Sequence, residues 1–121
     1  MSAKSINKKS TYKFGILAEK ISIFFLRLKG YEILQWRYKT RFGEIDIIAK
    51  KARVIIFFEV KARKEKSLIE EVLLPQQIER IKKAAEFFIS KNSQFQNYDL
   101  RLDFIEVGKF FIIKHYKNFI S

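Results

Sequence analysis

Apolar residues recur from Phe14 to Lys29 at i, i+3, i+4 and i+7 spacing: Phe14, Leu17, Ala18, Ile21, Phe24, Phe25 and Leu28. That spacing predicts one face of an amphipathic helix, closed by Gly30 as its C-cap. Tyr31 to Tyr38 alternates as a strand does, and Lys39, Thr40, Arg41 and Phe42 form a basic turn before Gly43. Gly43 to Lys61 reads GEIDIIAKKARVIIFFEVK. It predicts two antiparallel strands around a turn of about four residues, Lys50 to Arg53. Strict alternation puts Glu44, Asp46 and Ile48 on one face and Ile45, Ile47 and Ala49 on the other. Val54 to Phe58 is apolar on both faces, which marks a central strand covered on each side by helices.

Arg63 to Leu74 is assigned to a mobile basic loop leading into a short helical turn, and Pro75 suits a first helical turn. Ile78, Ile81, Ala84, Ala85 and Phe88 then predict a second amphipathic helix to about Lys91. A polar linker, Asn92 to Asp99, leads to strands at Leu100–Val107 and Phe110–His115, joined by a tight hairpin at Gly108-Lys109. The elements make an α/β fold, a mixed sheet of about five strands with one main helix on each face. Residues 1–12 show no periodicity and are expected to form a flexible basic arm, with 13–121 as a single domain.

Composition adds a partner to this outline. The chain carries 25 Lys and Arg against 13 Asp and Glu, a net charge of +12. So basic a surface points to a polyanion, nucleic acid ahead of an anionic membrane. The absence of cysteine excludes disulfides and thiolate metal sites. No signal-peptide core opens the chain and no window approaches the ~18 apolar residues of a membrane span, so a cytoplasmic protein is expected.

The candidate chemistry lies in the hairpin. Asp46 interrupts an isoleucine run, and Glu59 and Lys61 close the apolar strand with side chains pointing the same way. Adjacent strands can bring Asp46 and Glu59 together, where two carboxylates repel by roughly 4 kcal/mol at 4 Å in an effective dielectric of 20. A hard cation, Mg2+ or Mn2+, removes that repulsion. It would also polarise a phosphoryl oxygen, while Lys61 orients the attacking water. The plainer alternative is a salt bridge of Lys61 with Asp46 or Glu59 at a sheet end. Glu19, at the border of the first helix's buried face, reads on its own as a solvated carboxylate beside a lysine. Glu44 belongs either to the acidic face or to a pair with Arg41. Lone His115 reads as structural.

Taken together, Phe42-Gly43-Glu44-Ile45-Asp46-Ile47-Ile48-Ala49 and Phe57-Phe58-Glu59-Val60-Lys61-Ala62-Arg63 closely resemble the YraN-like family of small bacterial proteins, whose motifs run GEIDLIA and FVEVKxR. Gly15-x-x-Ala18-Glu19, Gly30 to Leu34, Ala84-Ala85, Arg101-Leu102-Asp103 and His115 to Phe119 extend the resemblance over nearly the whole chain. It implies a restriction-endonuclease-like fold of the PD-(D/E)xK class, close to archaeal Holliday-junction resolvases. By that resemblance Glu19, Asp46 and Glu59 hold the metal and Lys61 serves catalysis, with Glu19 as an outer or third ligand. Two departures stand out: Gln77 where the family usually has Lys, and Arg37 where it has Asn.

The function expected is metal-dependent hydrolysis of phosphodiester bonds in DNA rather than RNA, on branched or repair intermediates. Arg41, Lys50, Lys51, Arg63, Lys64 and Gln77 are the expected backbone contacts. Resolvase-like enzymes often work as dimers, so a homodimer belongs to this reading. The alternatives are an inactive nucleic-acid-binding protein of the same fold and a basic accessory subunit of a nucleoprotein complex.

Overall fold

The computed structural model describes residues 3–63 and 74–118. Helix α1 (Ala3–Leu28) begins well before Phe14, so most of the stretch assigned to a basic arm is helical. It ends at Gly30 as expected. The Tyr31 N–H reaches the Leu26 carbonyl and the Gly30 N–H the Arg27 carbonyl, both at 3.0 Å. Gly30 takes φ 92°, the left-handed closure that favours glycine.

The buried stripe of α1 is not the expected one. Ala18, Ser22 and Leu26 face the sheet, whereas Leu17, Phe24 and Leu28 are exposed. Small side chains at 18 and 22 let the helix approach closely, and the Ser22 hydroxyl is satisfied by the Ala18 carbonyl at 2.8 Å.

Five strands follow: β1 (Glu32–Thr40), β2 (Gly43–Lys51), β3 (Val54–Ala62), β4 (Asp99–Val107) and β5 (Ile113–Tyr116), with helix α2 (Pro75–Lys91) between β3 and β4. They lie side by side in chain order. Only β3 and β4 are parallel, because α2 carries the chain back across the sheet between them. The mixed α/β sheet is the one expected. Ala18 and Leu26 of α1 pack with Ile47, Ala49, Ile56, Phe58 and Ile105 on one face. Ala84, Ala85 and Phe88 of α2 pack with Ile45, Ile48, Ile55 and Phe57 on the other. Among the described residues, no helix is long and apolar enough to cross a membrane.

Several local expectations need correction. The β2–β3 turn is Ala52-Arg53 alone, with Ala52 at φ 54° as tight two-residue hairpins require. The stretch after α2 is more than a polar linker. It holds a 3-10 turn, Ser93–Phe95, and Phe95 and Tyr98 pack into the α2-side core. Gly108-Lys109 is not a tight hairpin either. A 3-10 turn at Lys109–Phe111 intervenes, and β5 starts at Ile113. The loop assigned to Arg63–Leu74 lies almost wholly outside the described residues.

Candidate functional site

The site arises where the sheet's regular alternation fails. The β2–β3 ladder runs from the Lys51–Val54 pair to Ile47–Phe58. Ile47 packs beneath α1, but Ile45, two residues earlier, packs beneath α2. On β1, likewise, Trp36 reaches Glu19 of α1 while Tyr38 packs beneath α2. Arg37 and Asp46 face each other at this switch, between the pairs Trp36–Ile47 and Tyr38–Ile45. Arg37 takes φ 55°, a left-handed conformation that costs an L-residue about 1–2 kcal/mol. The simple alternation expected for residues 44 to 49 is therefore broken at Asp46, and Ile45 and Ile47 do not share a face.

Asp46 ends up beside β3. Its Oδ2 accepts the Val60 N–H at 2.8 Å, and its carboxyl lies within hydrogen-bonding reach of Glu59. Glu59 and Lys61 point the same way, as expected, with Lys61 Nζ 3.4 Å from Glu59 Oε1. Burial, and then repulsion from Glu59, pushes the Asp46 carboxyl up to about 8. Burial raises Glu59 too, although Lys61 and the hydrogen bond with Asp46 pull it down. The two acids therefore titrate as a pair. Two adjoining half-buried acids, each raised first by burial, are a donor set that a hard divalent ion would complete.

Glu19 is buried, not solvated, and its partners are not lysines. Its Oε1 accepts from Trp36 Nε1 at 2.8 Å and Arg37 Nε at 2.9 Å. The pairing with Glu19, foremost, raises the Arg37 guanidinium. Glu19 still lies close enough for its charge to raise Asp46 and Glu59. Among the described residues, however, no three His, Cys, Asp or Glu side chains gather into a ligand cluster. Asp46 and Glu59 form a two-carboxylate site, and such sites suit Mg2+, which keeps several waters.

A cleft of about 150 Å3 opens beside Glu59, lined by Gly43, Glu44, Gln77, Arg80 and Ile81. Gly43 takes φ 150°, which favours glycine, whereas a Cβ there would only touch the Arg80 Cβ at an ordinary 3.6 Å. Gln77 lines the cleft, but its Oε1 accepts the Leu74 N–H at 3.1 Å and so closes the helix start. Glu44 is exposed, and no ion pair joins it to Arg41 among the described residues. A larger hollow, about 230 Å3 between α2 and β4, is mostly apolar and lacks the paired acids.

The predicted phosphate contacts divide. Arg41, over the Phe42 ring at 4.9 Å, and Arg63, just past β3, lie at the site's end of the sheet. Lys50 and Lys51 sit at the β2–β3 turn, four and five strand residues or roughly 13–17 Å from Asp46. There Lys51 Nζ donates to the Lys29 carbonyl at 2.8 Å. Lys64 lies outside the described residues. Residue-by-residue reasoning did not single out Arg80, nor Arg37 and Trp36 as partners of Glu19. An arginine interrupting an aromatic strand was the one available signal.

His115 is structural. Its Nε2 lies 2.8 Å from Oδ2 of Asp103, a fully buried acid that Arg101 grips with both Nε (2.8 Å) and Nη2 (2.9 Å). The Asn118 N–H adds a further bond at 2.8 Å. Burial pushes Asp103 up, but the bonds from His115, Arg101 and Asn118 outweigh it and hold the carboxyl below its ordinary range.

The model of the Uncharacterised protein family UPF0102 matches residues 18–107. A UPF0102 protein of Campylobacter hominis is 40% identical over 98 residues, covering 81% of this chain and 86% of its own. One from Rhodopseudomonas palustris is 43% identical over 94 residues (78% and 72%), and one from Parvibaculum lavamentivorans 38% over 96 (79% and 72%).

Proposed function

The chain belongs to the uncharacterised protein family UPF0102, the YraN family its motifs indicate, and we propose from the site itself that it is a metal-dependent endonuclease acting on DNA. The observation that carries this reading is the half-buried Asp46–Glu59 pair, with Lys61 Nζ 3.4 Å from Glu59, at the sheet end that also bears Arg41 and Arg63. Asp46 and Glu59 would hold Mg2+ or Mn2+, which when bound would supply Lewis-acid polarisation of a phosphoryl oxygen. Lys61 donates to the attacking water and to charge developing on the phosphate. Glu19 acts as an outer carboxylate, kept in place by Trp36 and Arg37. Arg41, Arg63, Arg80 and Gln77 hold the backbone on this side, with Lys50 and Lys51 as more distant phosphate contacts and Lys64 as a contact expected from the sequence. The fold is of the restriction-endonuclease-like class, and the enzyme works in the cytoplasm on branched or repair intermediates, as a homodimer where two strands must be cut.

Labelled DNA incubated with the purified chain is expected to be cleaved with Mn2+ or Mg2+ and not with chelator. Lys61→Ala, purified identically, is expected to lose about a hundredfold or more of that rate. Cleavage equal in the variant, or none with any cation, overturns the proposal. The missing third carboxylate among the described residues favours a second reading, a binding protein of the same fold without turnover. That protein would hold DNA equally well with chelator.

A further inference from the structure

We propose that the loop between β4 and β5 is a stacking tip for unpaired bases of the nucleic acid; this rests on the nuclease reading and adds a substrate class to it. Phe110 is 90% exposed, Phe111 48% and Ile112 60%, three large apolar residues in succession. Both phenylalanines take φ 58°, left-handed backbone at positions where the chain has no glycine. Neither ring packs on another aromatic ring among the described residues. The loop is nonetheless closed and braced. The Gly108 N–H meets the Ile112 carbonyl at 2.8 Å, and the Phe111 N–H meets the Gly108 carbonyl at 3.1 Å. The backbone is thus held in an uncommon conformation that presents two rings to solvent.

Position and charge name the occupant. Lys61 pairs with Glu106 and Ala62 with Val107 across β3 and β4, and the Arg63 N–H meets the Val107 carbonyl at 2.8 Å. The tip therefore projects from the sheet end that carries Lys61 and Arg63. It begins four strand residues, roughly 13 Å, past the level of Glu59. Residues 108–117 carry Lys109, Lys114 and Lys117 and no carboxylate, a setting for phosphates. Lysines alone suffice for a paired duplex, whose bases are stacked shut. Exposed rings gain most where a base face is already open, as at a bulge or branch, because in a paired duplex a step must first be unstacked.

The test is fluorescence anisotropy of the full chain, in chelator, with labelled DNA duplexes of equal length, one fully paired and one carrying a short bulge. The wild type is expected to bind the bulged duplex on the order of tenfold more tightly. Phe110→Ala with Phe111→Ala is expected to erase that preference while paired-duplex affinity stays within about twofold. Phe110→Trp is expected to keep it. Circular dichroism melts confirm that each variant folds. Equal wild-type affinity for both duplexes, or a preference that survives the double substitution, overturns this inference and leaves the nuclease reading standing. Binding to neither duplex overturns this inference, while cleavage with Mn2+ decides the nuclease reading separately. A wild-type dimer lost in the double variant, without bulge preference, overturns it in favour of self-contact.

Discussion

Asp103→Ala is expected to remove about 3–5 kcal/mol of folding stability, which lowers the melting temperature by roughly 10–20 °C for a chain of this size. Asp103 is fully buried and accepts from Arg101, His115 and the Asn118 N–H. Removing it leaves a buried ring nitrogen, a partly exposed guanidinium and the Asn118 N–H without their acceptor. The Tyr31 hydroxyl, 3.3 Å from Arg101 Nη2, remains as an acceptor for the guanidinium but not for the His115 ring or the Asn118 N–H. The pH dependence has a definite sign. Asp103 lies below its ordinary value when folded, so its stabilisation is complete above the unfolded value near pH 4 and is lost as pH falls through the folded one. The wild type and variant melting curves should therefore converge in acid. A variant melting within about 3 °C of the wild type at pH 7 would show that the cluster contributes little.

Asp46→Asn is expected to abolish turnover and yet stabilise the metal-free protein. Loss of one ion-holding carboxylate removes several kcal/mol of transition-state stabilisation, hence at least about a hundredfold in rate. The stability effect runs the other way. Asp46, raised to about 8 by burial and then by Glu59, keeps a proton in the folded state that the unfolded chain releases near pH 4. Stability from this group is greatest below pH 4 and falls as pH rises towards 8. An amide escapes that loss and still accepts the Val60 N–H. Discounted for partial exposure of the site, the gain is expected to be roughly 5–10 °C in chelator at pH 8, shrinking to nothing near pH 4. Saturating Mn2+ should reverse the order by stabilising the wild type alone. Unchanged activity, or a melting difference independent of pH, would sink the assignment.

Much of this was legible in residue order, and the failures share a cause. The apolar spacing on α2 is readable because Ile78, Ile81, Ala84, Ala85 and Phe88 form one stripe, buried from Ile81 onward and half-buried at Ile78. α1 is apolar on two flanks, so periodicity alone could not say which one enters the core. The small residues Ala18 and Ser22 decided it by letting the backbone come close. Asp46, Glu59 and Lys61 were readable because charged residues stood out in apolar strands. Glu19's partners were not, since Trp36 reaches it only because both strands change face at Arg37 and Asp46. That change depends on backbone dihedrals that no alternation rule contains. The Asp103 cluster joins β4 to residues of β5 and beyond, contacts that only the folded sheet reveals.

The hydrogen bond from Val60 to Asp46 makes one backbone amide a witness to the site. Where the β2–β3 ladder stops, a titratable side chain, the proposed ion ligand, takes the place of a carbonyl as the amide's acceptor. Protonation or cation capture at Asp46 alters that acceptor without requiring a strand to move. In a nuclear magnetic resonance spectrum the Val60 amide should therefore shift with pH and with Mg2+ while amides in the regular ladder, such as those of Ile55 and Ile56, stay still. Ion occupancy becomes readable from one resonance, with no substrate and no catalysis.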